Sequence, residues 1–370
     1  MVLLRERVYA EIDLSALEHN FRALKALSGR AVMASVKADA YGHGAVPAAK
    51  RLCAAGADWL AVATADEGLS LREAGIAAPI LILGHTAPQL APRLCRENIT
   101  LTCASYEHAA RLSQAAAAAG VTPGVHMKLD TGMARLGFGG EDDLAAALAL
   151  PNLRAEGLFT HFAASDLPGE PFMDEQIQKY NRVLGLLERR GHSFTFTHCA
   201  NSGAVLHYNK EVPGNMVRAG IALYGYAPSG FAAIPVKLIP VMSLWANVAM
   251  VRDLRAGETV SYGRAYKAPR DSRIAVICCG YADGYRRALS GKGHVLLHGR
   301  RCAVVGKVCM DMLMADVTDV PEVTAGDTAL LFGAGENAPS LDELANLAGT
   351  ISYELLCAVS ARVPRIYQAL

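Results

Sequence analysis

The stretch Ala31-Val32-Met33-Ala34-Ser35-Val36 is a short apolar run that ends at Lys37, and a pattern with helical spacing follows it. Runs of this kind alternate with Ala/Leu-rich stretches as far as residue 223. The other runs are residues 59–62, 80–83, 99–103, 125–129, 155–162, 194–197 and 216–223. These eight strand-then-helix units predict an α/β fold, a closed (β/α)8 barrel of parallel strands. An open doubly wound sheet is the alternative, although no G-x-G-x-x-G sequence follows an early strand.

Helical spacing predicts the helices that connect these strands, over residues 45–55, 66–74, 106–119, 142–149 and 175–190. Another helix is expected before the first run, where Ser15 and Glu18 form a capping-box pattern and Gly29 marks the end. A strand with alternating polarity, residues 8–12, precedes that helix.

The pattern changes near Pro235 and Pro240, beyond which strand-like runs occur without long helices. These runs are residues 241–250, 274–278, 295–298, 303–308, 313–317 and 328–332. One short helix is expected over residues 341–347, opened by a capping box of Ser340 and Glu343. We therefore predict three parts: an N-terminal strand in residues 1–10 packed with the late domain, a barrel over 11–235, and a mostly-β domain over 236–370.

Composition excludes several classes of partner. The 370 residues are 52% hydrophobic, and 36 basic residues nearly balance 35 acidic ones. Nucleic acids and anionic membranes require a concentrated basic surface, so neither is expected as a partner. No segment reaches the roughly 18 uncharged apolar residues that span a bilayer. Residues 1–7 are charged and lack the apolar core of a signal peptide, so we expect a cytoplasmic protein.

Active sites of such barrels lie at the carboxyl ends of the strands, where five runs here are followed by reactive side chains. These side chains are Lys37, Lys128, His161, His198 and Arg218. Burial lowers the pKa of a lysine from about 10.4, and its neutral amine attacks carbonyls, which makes Lys37 a Schiff-base candidate. The alternative is that Lys37 extends into solvent at the strand end.

The other polar groups are open to structural interpretations as well. Tyr41 and the glycines beside it form a polar pocket that suits a phosphate group. His161 is equally compatible with a structural histidine, and Arg218 with a salt bridge at the barrel rim. We expect no metal site, because His294 and His298 lack a third ligand.

The sequence Val36-Lys37-Ala38-Asp39-Ala40-Tyr41-Gly42-His43-Gly44 resembles the pyridoxal-phosphate attachment signature of bacterial alanine racemases. Eight more segments resemble that family in order: residues 128–138, 160–162, 200–202, 218–221, 260–263, 280–284, 308–311 and 351–354. They extend over nearly the whole chain. The family combines a β/α barrel with a β domain, the same division that the sequence pattern predicts.

The resemblance implies an enzyme that uses pyridoxal 5'-phosphate to interconvert L-alanine and D-alanine, supplying D-alanine for peptidoglycan. It implies that Lys37 holds the cofactor as an aldimine and serves as one base. Tyr262, from the partner subunit of a head-to-tail homodimer, would be the second base. Removing a proton on one face and returning one on the other requires two groups, which agrees with this pair.

Further roles are implied only by the resemblance. The phosphate would be held by Tyr41, Ser202, Gly220, Ile221 and Tyr353, with His161 against the cofactor ring and Arg218 at the pyridine nitrogen. Asn201 would be a further cofactor-binding residue. Arg135 and the backbone of the partner's Met310 would hold the substrate carboxylate. Lys128, often carbamylated in the family, would orient Arg135. The sequence departs from its relatives at Asp39, Gly203, Lys307 and Met312, where Asn, Ala, Arg and Gln are common.

Three alternative functions are open at this point. A racemase could act on serine or another small amino acid instead of alanine. A decarboxylase of the same architecture would need an acidic group at the ring nitrogen, whereas Arg218 only donates hydrogen bonds. A non-catalytic cofactor-binding protein would lack the β domain that contains Tyr262.

Overall fold

The computed structural model describes residues 7–167, 170–208, 211–228 and 233–368. Residues 1–6, which contain most of the charged start and the first part of the predicted N-terminal segment, lie outside the described residues. Strand β1 (Val8–Asp13) comes first and is followed by the helix Leu14–Ser28. No helix in the described ranges is long and apolar enough to cross a membrane.

Eight parallel strands close into a barrel in chain order, which confirms the predicted barrel and excludes the open sheet. They are β2 (Ala31–Ser35), β3 (Trp59–Val62), β4 (Ile80–Ile82), β5 (Ile99–Cys103), β6 (Gly124–Lys128), β7 (Arg154–Phe159), β8 (Phe196–His198) and β9 (Met216–Ala219). Strands β3 to β6 are buried along their whole length, because helices cover one face of a parallel barrel and its own core fills the other.

Helices surround the barrel much as the periodicity predicts. After the helix Leu14–Ser28 they are Ala45–Ala54, Ala65–Glu73, Ala91–Arg96, Tyr106–Ala118, Glu141–Leu148, Phe172–Arg189 and Ser202–His207. Gly29 ends the first helix in a left-handed conformation, as predicted. The predicted cap at Ser15 is wrong: Asp13 caps this helix and accepts hydrogen bonds from the Ser15 and Ala16 N–H groups, because the helix begins two residues earlier than expected.

Two predicted strands are too long. The run 155–162 forms a strand only as far as Phe159, which leaves His161 in the loop at the barrel mouth. The run 216–223 ends as a strand at Ala219, and Ile221–Tyr224 form a 3-10 turn instead. Both overruns end in apolar residues buried outside the strands, Phe162 in one and residues 221–223 in the other, which a hydrophobic pattern cannot distinguish from strand residues.

The late part of the chain is mostly β structure, as predicted. Its strands are β10 (Met242–Leu254), β11 (Thr259–Val260), β12 (Tyr266–Lys267), β13 (Ser272–Ile277), β14 (His294–Leu297), β15 (Arg300–Val305), β16 (Leu313–Asp316), β17 (Thr328–Phe332) and β18 (Arg365–Gln368). Two helices complete it, Leu341–Ala348 and Ser352–Ala358. Ser340 caps the first of these and accepts a hydrogen bond from the Glu343 N–H.

Strand β1 lies in this late sheet, between antiparallel β10 and parallel β18. The first described strand of the chain therefore pairs with its last strand. This pairing extends past residue 10 to Asp13 and supports the expected packing of the N-terminal strand with the late domain. The division of the chain near residue 235 stays a prediction.

Candidate active site

A left-handed turn follows β2 and sets the position of Lys37. Residues Lys37–Gly42 form one short helical turn, in which the four residues from Ala38 to Tyr41 have φ between 51° and 54°. A left-handed conformation costs about 1–2 kcal/mol per non-glycine residue, so a run of four persists only where tertiary contacts determine it. The turn ends at Gly42, whose φ of 82° suits glycine.

The turn opens into a cavity of about 440 Å³ at the carboxyl ends of the barrel strands. This position agrees with the predicted site. Ten residues singled out from the sequence line this one cavity: Lys37, Tyr41, Arg135, His161, Asn201, Ser202, Arg218, Gly220, Ile221 and Tyr353. Ser35, Asp166 and Cys357 also line it and were not predicted. No group of three His, Cys, Asp or Glu side chains in the described ranges could hold a metal ion.

Lys37 contributes its side-chain amine to this cavity. Burial lowers the pKa of Lys37, and the cations Arg135 and Arg218 lower it further, while Glu67 opposes them. A larger fraction of this amine is therefore neutral near pH 7 than for a lysine in solvent. The observed environment favours the nucleophilic interpretation over an amine that extends into solvent.

Arg218 is buried at the end of β9 and is held by several acceptors. Its two terminal nitrogens donate to the backbone oxygens of Thr160, His198 and Cys199 at 2.8–3.1 Å. One of them also lies 3.2 Å from Nδ1 of His161. Burial lowers the pKa of Arg218 to about 10, so the guanidinium remains a cation at neutral pH. The partners found for it among the described residues are neutral oxygens and imidazoles, which favours a hydrogen-bond donor over a salt bridge at the barrel rim.

Two buried histidines extend the network behind Arg218. Nη1 of Arg218 donates to Nδ1 of His198 at 3.0 Å, and Nε2 of His198 lies 2.8 Å from Nδ1 of His126. Because a guanidinium only donates, His198 carries its proton on Nε2 and donates it to His126. Burial lowers the pKa of both imidazoles, so both stay neutral. His198 therefore lies within the barrel rather than at the mouth where the sequence analysis placed it.

The groups expected to hold a phosphate lie together. A Cβ atom added at Gly220 would come within 2.9 Å of the Tyr41 hydroxyl and 3.7 Å of Ser202 Oγ. The backbone N–H of Gly220 donates to Ser202 Oγ at 2.9 Å. The two hydroxyls thus lie beside a backbone that no side chain obstructs, which is suitable for a phosphate. Asn201 lines the same cavity, but its side-chain oxygen caps the helix Ser202–His207 through the Ala204 N–H.

Lys128 ends β6 and lies beneath the cavity, 6% exposed. Burial lowers the pKa of Lys128 to about 8, with Arg135 and Arg218 contributing in the same direction. The Lys128 ammonium lies 5.6 Å from the ring centroid of Phe159. The carboxylate of Asp130 closes the following loop by accepting hydrogen bonds from the N–H groups of Gly132 and Ala134. The same loop places Arg135 at the mouth of the barrel. A neutral amine at this position can react with carbon dioxide.

Tyr262 and Met310 lie elsewhere in the same chain. They line a second groove, about 760 Å³ in volume, on the late β domain. Tyr262 is 71% exposed and Met310 53% exposed. Tyr262 begins a short turn between β11 and β12, where Ser261 anchors it by donating to the backbone oxygen of Lys307 at 2.8 Å. A single chain therefore does not bring these two residues into the Lys37 cavity.

Fold and site together define a barrel enzyme with a half-buried lysine amine at its mouth, joined to a β domain. Residues 12–228 match the family described as alanine racemase, N-terminal domain, and residues 241–367 match alanine racemase, C-terminal domain. An alanine racemase of Desulfovibrio desulfuricans is 47% identical over 372 residues, 99% of this chain and 100% of that protein. The chain belongs to the alanine racemase family.

Solved structures agree with this assignment. The alanine racemase from D-cycloserine-producing Streptomyces lavendulae is 37% identical with a TM-score of 0.93, covering 98% of this chain and 97% of that one. A histidine racemase of Leuconostoc mesenteroides is 32% identical with a TM-score of 0.89, covering 98% of each chain. The shared architecture is thus found in racemases named for different amino acids.

Proposed function

We propose that this chain interconverts L-alanine and D-alanine with pyridoxal 5'-phosphate attached to Lys37, and that two subunits complete each site in a head-to-tail homodimer. The substrate proposal is supported by full-length relatives named alanine racemase. The dimer proposal is supported by one observation above all: Tyr262 is exposed on the β domain, whereas Lys37 lies in a cavity of the barrel.

The residues present fit the cofactor. Tyr41, Ser202 and the backbone at Gly220 and Ile221 would hold its phosphate, and Tyr353 would lie beside them. His161 would contact the ring, and Arg218 would donate to the ring nitrogen. When bound, the cofactor supplies an electron sink that makes the α-hydrogen of an attached amino acid acidic.

Arg218 restricts the type of reaction. It remains a cation near neutral pH and donates hydrogen bonds without giving up its proton. A ring nitrogen facing this group would stay unprotonated, which would limit how far charge is drawn from the α-carbon. Rapid return of a proton to that carbon is then favoured, and this suits racemisation better than decarboxylation.

Two groups must exchange protons with the α-carbon from opposite faces. Lys37, with its lowered pKa, is suited to one face. Two tyrosines of the same cavity are poor proton acceptors, because burial raises the pKa of Tyr41 to about 12 and also raises the pKa of Tyr353. Tyr262 of a second subunit would supply the phenol for the opposite face.

The substrate carboxylate would be held by Arg135 together with the backbone of Met310 from that second subunit. Lys128 would carry a carbamate, because its pKa of about 8 leaves a larger fraction of the amine neutral and reactive toward carbon dioxide than in a solvent-exposed lysine. A carbamate would turn this cation into an anion that attracts and orients Arg135. Bulky Tyr353 and Tyr262 side chains would limit the pocket to small amino acids.

A mixing experiment tests the shared site. Lys37→Ala and Tyr262→Phe chains, each assayed alone with added pyridoxal phosphate, are expected to lack alanine racemisation. After the two are mixed under conditions of subunit exchange, half of the dimers are mixed and each has one intact site, so about a quarter of the activity returns. If the mixture stays as inactive as its components, the shared site is wrong.

The assay should include other amino acids and a release assay for carbon dioxide. Turnover of serine or histidine above that of alanine would contradict the substrate proposal, and carbon dioxide release would favour the decarboxylase. D-alanine produced by the chain would serve the synthesis of peptidoglycan. The cytoplasmic location expected from the sequence stays a prediction.

A further inference from the structure

We infer that Glu67 is a positioning residue for Lys37, because its carboxylate fastens the start of the left-handed turn to the neighbouring strand of the barrel. The inference rests on the proposed function of Lys37. Glu67 lies in the first turn of the helix Ala65–Glu73, directly after β3, and β3 pairs with β2. The Lys37 turn and the Glu67 helix therefore begin side by side at the barrel mouth.

The carboxylate of Glu67 joins two chain segments. Its Oε1 accepts the backbone N–H of Ala38 at 2.7 Å. Its Oε2 accepts the N–H groups of Ala63 at 2.6 Å and Thr64 at 3.3 Å. The bond to Thr64 belongs to a capping box, in which Thr64 Oγ1 accepts the Glu67 N–H in return. Oε2 thus caps the start of the helix that contains Glu67, and Oε1 holds Ala38, the residue that follows Lys37.

The turn needs such contacts because its conformation is unfavourable for alanine, aspartate and tyrosine. Other side chains hold its carbonyl groups: Nδ1 of His43 lies 2.9 Å from the Ala40 oxygen, and Arg365 Nε donates to the Gly42 oxygen at 3.0 Å. Glu67 holds the opposite end, at the N–H next to Lys37. Loss of this bond would let the turn relax where the amine is attached.

Glu67 also balances charge around the amine. Arg135 and Arg218 both favour the neutral form of Lys37, and Glu67 is the carboxylate that acts in the opposite direction on the pKa of Lys37. Geometry and charge can be separated by substitution. Glu67→Asp keeps the charge but shortens the reach to Ala38, while Glu67→Gln removes the charge and leaves a single acceptor oxygen for three N–H groups.

The test uses the full-length chain, first freed of cofactor and then mixed with pyridoxal phosphate at a series of pH values. Covalent capture on Lys37 is followed by absorbance and located by mass spectrometry. Hydrogen–deuterium exchange of the peptide that contains Ala38 is measured on the same samples. Asp66→Asn is the matched control, because Asp66 is an exposed carboxylate in the same helical turn.

We expect exchange at Ala38 to become at least about tenfold faster in both Glu67 variants and to stay unchanged in Asp66→Asn. In Glu67→Asp the plateau rate of capture should fall by roughly tenfold while the pH midpoint stays in place. In Glu67→Gln the plateau falls as well, and the midpoint moves to lower pH because the anion that opposed the two arginines is gone. A purely structural role would lower the urea midpoint without moving the pH midpoint.

Wild-type exchange and capture in both Glu67 variants would overturn the inference. Failure of the proposed function gives a different result: wild-type chain would capture no more pyridoxal phosphate at this position than Lys37→Ala. In that case the hydrogen exchange at Ala38 alone decides whether Glu67 holds the turn.

Discussion

The mouth of the barrel and the exposed face of the β domain differ in whether their side chains have hydrogen-bond partners within the same chain. At the mouth, a single chain supplies the hydrogen-bond partners of buried Arg218 and fastens a strained turn from both ends. On the β domain, the side chains of Tyr262 and Met310 remain open to solvent, and the neighbouring Ser261 anchors the start of the Tyr262 turn. One region positions groups within its own chain, and the other leaves its side chains exposed, as the proposed homodimer requires.

Tyr262→Phe should have the largest effect on activity. If the phenol works only in another subunit's site, its removal should lower kcat by about 10³-fold, within the usual range for a general acid–base group. The free energy of unfolding should change by less than about 0.5 kcal/mol, because the side chain is exposed. Racemisation assays and urea denaturation measure the two quantities.

Tyr106→Phe is the matched control, since Tyr106 is 40% exposed on a barrel helix. It should leave both kcat and the urea midpoint unchanged. Equal activity of the Tyr262 variant and this control would contradict the assignment of Tyr262 as a base.

Asp283→Asn tests how much the hydrogen bonds of one buried carboxylate stabilise the β domain near Met310. The buried Asp283 carboxylate accepts two hydrogen bonds from Arg7, one from Arg362 and one from the Gly280 N–H. Arg362 also bonds Asp311, next to Met310. The carboxylate is buried, whereas Arg7 and Arg362 are 37% and 42% exposed. Weakening these charge-assisted hydrogen bonds should cost about 3 kcal/mol of unfolding free energy, measured with urea at pH 7.

The pH dependence of this loss has a defined sign. Although burial opposes it, the two arginines hold the pKa of Asp283 below its ordinary value. The contribution is therefore complete above about pH 4, where an unfolded aspartate is also ionised, and is lost as pH falls through the folded pKa. Asp253→Asn, at a 91% exposed carboxylate, should change little, and a similar small effect at Asp283 would refute the prediction.

Gly157→Ala should have the smallest effect of these substitutions, and it tests the hydrogen-bond network behind Arg218 at the barrel mouth. A Cβ at Gly157 would lie 2.6 Å from the His126 ring, which supports His198 and, through it, Arg218. Overpacking of this kind should cost about 1–3 kcal/mol and weaken pyridoxal phosphate binding, measured by urea denaturation and titration. Gly185→Ala, within the helix Phe172–Arg189, should instead stabilise by about 0.5–1 kcal/mol. Equal effects of the two substitutions would contradict this interpretation.

The barrel could be predicted from the sequence because parallel strands covered on both faces produce short, continuous apolar runs. Residues 99–103 illustrate this, as run and strand have the same bounds. The placement of Lys37 and Arg218 followed from the rule that barrel sites lie at strand ends. The run 216–223 was too long because Ile221–Tyr224 are equally apolar and buried without being a strand.

Local sequence could not reveal the left-handed turn, because nothing in Ala38-Asp39-Ala40 marks it and its conformation depends on contacts with distant residues such as Glu67 and Arg365. The sequence also could not show that His198 lies behind Arg218, since both faces of a barrel strand are buried. Glu67 did have a signal: Thr64 and Glu67 form a capping-box pattern, although that pattern alone describes a helix start.

The bond from Arg365 to the carbonyl oxygen of Gly42 has a consequence for synthesis of the chain. Residue 42 leaves the ribosome more than three hundred residues before residue 365 does. The turn that contains Lys37 therefore lacks the hydrogen bond from Arg365 until β18 has been synthesised and pairs with β1. The turn that contains Lys37 is accordingly fastened at both ends only after β18 has been synthesised, however early the barrel itself folds.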